Sequence, residues 1–359
     1  MEFSTAADVL QEALKVVSGL APPTNGNITL TSTGKKVYIA ASSDSAMCTI
    51  NMPAAVRGKP GKFAISLLAL KDATKGRKEL TLLYDKTLCK ISGASYKCEL
   101  PTVDAIDSDD TEEKLDKSVS LDVDQVTWLK SAVAVVALKP TPLLATFMPV
   151  AIKLSEKGAF IACYDENHMA FMRSKEIKGS MELKIPLEVL TAVFTNLGKT
   201  GLNIALSKSG MTVSNKLVKL NLNLPQEEET DLKLSEVLQT AQASVATGKT
   251  NGIAIELDKA EVQSFMDNAR SVATKERSEV RMEFAKDKLK LEVSTANGMV
   301  RTVVKAKCGQ SVTALIDFDF FDEAIRKSGA TVALSLVKSE FMVFDLAKGS
   351  VVISLNQGA

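Results

Sequence analysis

Three segments of the chain repeat one order of apolar and polar positions. Residues 62–98 (KFAISLLALKDATKGRKELTLLYDKTLCKISGASYKC), 181–214 (MELKIPLEVLTAVFTNLGKTGLNIALSKSGMTVS) and 313–353 (TALIDFDFFDEAIRKSGATVALSLVKSEFMVFDLAKGSVVI) each read as a strand, a helix, a turn and a hairpin. Ile65, Ile185 and Ile316 fall at equivalent points, and each is followed by a residue suited to a helix start: Ser66, Pro186 or Asp317. Ser and Asp accept hydrogen bonds from the free amides of a first turn, and Pro loses nothing there by lacking its own. Apolar residues then recur at helical spacing: Leu67 and Leu70; Leu187, Leu190, Val193 and Phe194; Phe318, Phe321 and Ile325. Gly76, Gly198 and Gly329 are the expected helix stops, because glycine enters left-handed backbone space at no steric cost. The alternating segments LTLLYDKTLCKIS, LNIALSKSGMTVS and VALSLVKSEFMVF, each broken by a polar turn, predict the hairpins.

The stretches before these segments repeat as well. FSTAADVLQEALKVV, LDVDQVTWLKSAVAVV and IELDKAEVQSFMDNARSVA each predict a short strand and an amphipathic helix. Their apolar stripes are Val9, Leu10, Ala13, Leu14 and Val17; Trp128, Ala132 and Val135; and Val262, Phe265, Met266 and Ala269. Two acidic, polar stretches, 104–117 and 225–233, have little to bury and read as linkers. The expected organisation is three tandem domains of one α+β fold, at 1–115, 116–230 and 231–359, with helices on one face of antiparallel sheets. Open sheet edges invite pairing, so similar domains in series are expected to join edge to edge and to close as a symmetric oligomer.

Composition narrows the chemistry. The 359 residues are 45% hydrophobic and 24% charged, and 44 Lys and Arg against 43 Asp and Glu leave a net charge of +1. No bulk field draws such a chain to nucleic acid or membrane, so any DNA contact rests on local charge segregation. Cys48, Cys89, Cys98, Cys163 and Cys308 lack CxxC spacing and suit reduced thiols in a cytoplasmic protein. The N-terminal MEFSTAADVL lacks a secretory pattern, and no apolar run is long enough to span a bilayer. The lone histidine, His168, lies in CYDENHM with Cys163, Asp165 and Glu166, but a Cys-His nucleophile needs an orienting partner that no repeat supplies. It reads as a turn residue. Gly198-Lys199-Thr200 and Gly248-Lys249-Thr250 lack the upstream glycine of a phosphate-binding loop, having Val193 and Ala243 there. Asp104, Asp107, Asp109 and Asp110 lack the spacing and glycine of a calcium loop, and one His without a Cys cluster gives zinc no ligand set. No catalytic residue, metal or cofactor is expected.

On this threefold pattern, FSTAADVLQEALKVVSGL, YKCELPTVDA and AFIACYDENHMAFM occur in the order and places that make the chain resemble the three-domain, bacterial-type DNA polymerase sliding clamps. The resemblance covers nearly the whole chain. It implies a head-to-tail homodimeric ring of clamp domains, with two helices per domain facing a central pore that holds double-stranded DNA. It also implies a clamp loader and a DNA polymerase as partners, with no enzymatic activity. A ring that tethers by topology needs only a few mobile cations opposite the phosphates. Lys15, Lys71, Lys75, Lys130, Lys259, Arg270, Arg326 and Lys327 are the DNA-facing candidates. The resemblance further implies a partner-peptide pocket lined by Phe147, Tyr164 and Met169 and by Val352, Ile353 and Leu355 near the end of the chain. The chain departs from the family in ending SVVISLNQGA, without the usual Met-Pro pair and basic residue, and in carrying APPTNGN where a DNA-touching Arg often precedes a turn. A divergent or phage-encoded relative fits these departures. Two other readings are a monomeric clamp-fold accessory subunit that binds DNA through a basic face, and a repeat-built scaffold with no DNA role.

Overall fold

The computed structural model of the chain describes residues 1–44, 46–105, 117–137, 149–165, 168–197, 200–207, 210–223, 234–274, 278–337, 340–346 and 348–355. One succession of elements occurs three times. The first comprises β1 (Glu2–Ala6), α1 (Ala7–Leu20), β2 (Asn27–Ser32), β3 (Val37–Ser42), β4 (Ala46–Met52), β5 (Ala55–Arg57), β6 (Gly61–Ser66), α2 (Leu67–Thr74), β7 (Glu79–Asp85), β8 (Leu88–Gly93) and β9 (Tyr96–Val103). The second comprises β10 (Lys117–Leu121), α3 (Val123–Val136), β11 (Pro149–Ser155), β12 (Gly158–Tyr164), β13 (His168–Ser174), β14 (Met181–Pro186), α4 (Leu187–Leu197), β15 (Leu202–Leu206), β16 (Gly210–Ser214) and β17 (Val218–Asn223). The third is preceded by an extra helix, α5 (Leu234–Asn251). It then runs β18 (Ile253–Asp258), α6 (Lys259–Ala269), β19 (Glu279–Ala285), β20 (Lys288–Thr295), β21 (Gly298–Cys308), β22 (Val312–Asp317), α7 (Phe318–Lys327), β23 (Thr331–Val337), β24 (Phe341–Asp345) and β25 (Ser350–Ser354).

The expected helix signals operate locally. Ser66 Oγ accepts from the Ala69 amide at 3.3 Å, and Asp317 Oδ1 accepts from Asp319 and Phe320 at 2.9 and 3.2 Å. Gly76, with φ +71°, stands just past the Lys75 C-cap of α2 as anticipated. The third helix stops differently. Its C-cap is Ser328 in extended conformation, with Oγ on the Ala324 carbonyl at 2.7 Å, so Gly329 supplies no left-handed residue. Gly198 lies outside the described residues.

The chain forms two compact units, Met1–Val126 with Ala192–Glu228, and Thr127–Thr191 with Glu229–Ala359. Each contains one antiparallel sheet. In the first the strand order is β10-β15-β16-β17-β4-β3-β2-β6-β9-β8-β7-β1-β5; in the second it is β14-β11-β12-β13-β25-β24-β23-β18-β21-β20-β19-β22. Pairing therefore runs across repeat borders. β17, the last strand of the second repeat, pairs with β4 of the first (Val218↔Ile50 to Leu222↔Ala46), and β25, the last of the third, pairs with β13 of the second (His168↔Ile353 to Phe171↔Ser350).

In the first unit α1 lies on β3 and β4; Leu10, Leu14 and Val17 of the helix and Ile39, Cys48 and Ile50 of the strands are all buried. In the second, α6 and α7 pack together, and α7 buries Phe318, Phe320, Phe321 and Ile325. Burial of these stripes supplies the drive for helix and sheet to associate. Cys48 and Cys89 belong to the first unit's core, where burial pushes both thiols up to about 12, so neither is a thiolate at neutral pH. Among the described residues no helix is long and apolar enough to cross a membrane. One turn has a strict demand: Gly158, at φ +128°, opens β12 so close to Ser174 that an added Cβ would strike its carbonyl. Gly158→Ala is expected to cost more than about 1 kcal/mol, read as a lower denaturation midpoint.

Candidate nucleic-acid interface and docking face

Nucleic-acid backbones are met by cations on accessible elements, so the helices were the expected source. In each of the seven helices among the described residues Asp and Glu equal or outnumber Lys and Arg. Several of the candidate cations are engaged within the fold. Lys71 Nζ donates to Ser18 Oγ at 2.9 Å, joining α2 to α1, while Gln11 Nε2 crosses the same seam to the Lys71 carbonyl at 2.8 Å. Lys259 Nζ donates to the carbonyls of Arg326 and Ser328 at 2.7 and 2.8 Å, capping the end of α7 where carbonyls point outward. Lys327 Nζ donates to the Ala137 carbonyl and pairs with Glu323 at 3.5 Å.

Arg270 and Arg326 converge on Asp322, a buried carboxylate on α7. Arg270 Nη2 contacts Oδ2, Arg326 Nε reaches the same oxygen at 3.0 Å, and Gln263 Nε2 lies 3.4 Å from Oδ1. Arg326 Nη2 also meets Asp267 at 3.3 Å. The hydrogen bond that Arg326 donates to Asp322 holds its guanidinium above its ordinary pKa. Burial, with Asp317 and Asp322 nearby, pushes the Asp319 carboxyl up. Both arginines keep about half of their side-chain surface in solvent (49% and 42%), so each presents a partly neutralised charge. Lys15, Lys75 and Lys130 are exposed on or just past α1, α2 and α3.

Tyr164, Met169 and Val352 come together. They stand in one cross-strand row, Tyr164↔Met169↔Val352↔Val343, on a single face of the second unit's sheet. With Phe160, Phe171 and Ala151 they form an apolar cluster, and α5 covers it through Val237, Leu238, Ala241 and Val245. Ile353 belongs to the other face, because successive strand residues alternate; its cross-strand partner is His168. Leu355 is half-buried and its amide donates to the Glu340 carbonyl at 2.9 Å. Phe147 lies outside the described residues. His168 opens β13 with Nδ1 3.0 Å from Asp165 Oδ1 and its ring stacked on Phe320 at 3.3 Å, a structural tie between sheet and α7.

Two features escaped the sequence reading. The spacing of Val237, Ala241, Val245 and Gly248 is helical and could have signalled α5; the polar residues between them hid it. Asp322 lies four residues before Arg326, a spacing that predicts a helix ion pair, whereas the approach of Arg270 from α6 is a tertiary event.

Two strand edges complete the picture, each within its own unit. Residues 96–101 of β9 pair with β8, and only Thr102 and Val103 reach β6; residues 298–305 of β21 pair with β20, and only its last residues reach β18. The second edge of each segment has no strand against it among the described residues. Exposed apolar side chains mark both strands: Val103 on β9, and Met299 and Val303 on β21 (55% and 60% exposed).

The whole chain superposes on bacterial sliding clamps. It matches the Pseudomonas aeruginosa DNA polymerase III subunit beta sliding clamp bound to griselimycin with TM-score 0.80 and 12% identity, covering 100% of both chains. It matches the Bacillus subtilis DNA polymerase sliding clamp with TM-score 0.75, 15% identity and the same coverage. It matches the Helicobacter pylori beta clamp bound to a DNA ligase peptide with TM-score 0.72 and 14% identity, over 99% of this chain and 100% of that one. No protein-family model and no curated protein matches the sequence. The fold is the α+β sliding-clamp fold with its repeated domains.

Proposed function

We propose that the chain is a DNA sliding clamp: a non-catalytic ring of two copies, loaded around duplex DNA by a clamp loader, that tethers a DNA polymerase during synthesis. In this reading it has three clamp domains, 1–115, 116–230 and 231–359, and its helices face the pore. The observation that carries the reading is the repeated junction. The strand three after the first helix of one repeat pairs with the last strand of the next, as β4 with β17 and β13 with β25. By the same rule β21 of the third repeat calls for the last strand of a further repeat, and residues 96–101 of β9, the last strand of the first repeat, have no second strand against them among the described residues. A second copy supplies the missing partner in each direction, and head-to-tail pairing closes the ring.

The sparse and partly neutralised cations suit topological retention. Lys15, Lys75 and Lys130, with the solvent-facing parts of Arg270 and Arg326, are the proposed phosphate contacts; they are too few for tight binding. Lys71, Lys259 and Lys327 act chiefly within the fold in this reading. The apolar row Tyr164, Met169 and Val352 is the proposed docking face for a partner's peptide, such as a DNA ligase or polymerase segment. The carboxylate content of the helices favours a second reading, in which the clamp fold serves as a monomeric accessory or scaffold that never encircles DNA.

One experiment separates the two. The clamp reading expects a two-chain species by analytical ultracentrifugation and retention on circular but not linear DNA after loading. Met299→Asp combined with Val303→Asp, which puts charge on the β21 edge, is expected to give a monomer and abolish retention. A persistent monomer of the unaltered chain at micromolar concentration would favour the second reading.

A further inference from the structure

Helix α5 has 18 residues, yet among its described residues 236–251 only Val237, Ala241 and Gly248 are fully buried, with Leu238 and Val245 half-buried in the contact. By contrast α7, with 10 residues, buries Phe318, Phe320, Phe321, Asp322, Ala324 and Ile325. Beneath α5 lies a surface built of larger groups: Phe160, Tyr164, Met169, Phe171, Phe341 and Val352. Aliphatic side chains of α5 thus lie over an aromatic face that includes the flexible thioether of Met169, and such a face adapts to varied apolar anchors. At its rim the Arg173 guanidinium sits over the Phe160 and Phe171 rings, 5.7 and 5.8 Å from their centroids, and reaches solvent. It is placed to receive a carboxylate.

We propose that α5 is a displaceable strap. It fills the apolar face of its own chain, and a partner's short apolar peptide bearing an acidic residue docks by lifting it, with apolar anchors on Tyr164, Met169 and Val352 and the acid on Arg173. The proposal rests on the docking face suggested above and adds that access is regulated by the chain itself. An element with so narrow a buried stripe opens locally at lower cost than the sheet it covers. The apparent affinity of the peptide is then reduced by the fraction of chains in which α5 is down.

The contact offers its own lock. A Cβ at Gly248 would lie 3.5 Å from the Ser335 Cβ, within disulfide range, and 3.1 Å from Val343 Cγ2, a methyl that must yield by a few tenths of an ångström. In full-length Gly248→Cys/Ser335→Cys, native-state hydrogen exchange and binding of a fluorescent DNA ligase peptide are compared in oxidised and reduced forms. Each single variant serves as a control for folding. The expected result is that α5 amides of the reduced form exchange far sooner than those of β12 and β25, and that oxidation slows them. Oxidation should also weaken peptide binding at least tenfold, and reductant should restore it. Equal binding by both forms, or α5 amides that exchange only with the strands, would overturn the strap. A freely opening α5 with peptide bound by neither form would instead count against the docking face itself.

Discussion

Replacing Phe321 with alanine is expected to destabilise the second unit by about 3–5 kcal/mol, the largest effect of any single core truncation on α7. Phe321 is fully buried, and its ring lies 5.9 Å from that of Phe344 on β24, tilted by 57°. Alanine removes the transferred apolar surface and leaves a void that a close-packed interior closes only in part. The tilted ring pair adds about 0.5–1.5 kcal/mol beyond area burial. Phe321→Leu keeps much of the volume and should recover more than half of the loss. The measurement is hydrogen exchange of the β23–β25 amides beside a denaturation midpoint, because a chain of two units is not a single two-state system. Unchanged protection in the alanine variant would show that α7 does not anchor this sheet.

Asp322→Ala is expected to act in two directions at once. The buried carboxylate takes hydrogen bonds from Arg270, Arg326 and Gln263, so its loss should cost about 1–3 kcal/mol. A fully buried pair would cost more when broken; here both guanidinium groups retain water, which limits the penalty. The same change frees Arg270 and leaves Arg326 with Asp267 as its remaining carboxylate at the α6–α7 surface. Affinity for linear duplex DNA at low salt should rise, and the salt dependence should steepen by about one phosphate contact, a slope change near 0.9. Asp322→Asn, which keeps the side chain's shape and an acceptor oxygen, should release the charge at a smaller stability cost. If neither variant alters DNA binding, these arginines do not face the duplex.

Legibility followed the range of the interaction. Ser66 and Asp317 cap helices through amides two or three residues away, and Leu10, Leu14 and Val17 share a face because a helix turns about every 3.6 residues. These relations are contained in the local sequence. Strand alternation was equally available, and it separates Val352 from Ile353, which the expected docking pocket had joined. The partners of the candidate cations were not available. Lys259 serves a helix end 67 residues away, and Arg270 meets a carboxylate 52 residues away. A lysine on a polar face reads alike whether it awaits a phosphate or caps a neighbouring helix.

The sequence by itself determined the threefold succession of elements, the apolar stripes of α1, α4, α6 and α7 and the absence of a strong net charge, since periodicity and composition are properties of the chain alone. Helix α3 instead buries Val126, Leu129, Ala132, Val133 and Val136, with Trp128 and Val135 only half-buried, and α5 was not read. Tertiary structure decided which strands join across repeats, that α5 lies over Tyr164, Met169 and Val352, and that Asp322 gathers Arg270 and Arg326. Those outcomes depend on strand register and on which faces meet in space. Backbone hydrogen bonding is nearly indifferent to residue identity, so only the packing of the whole sheet selects among pairings that a local pattern leaves equal.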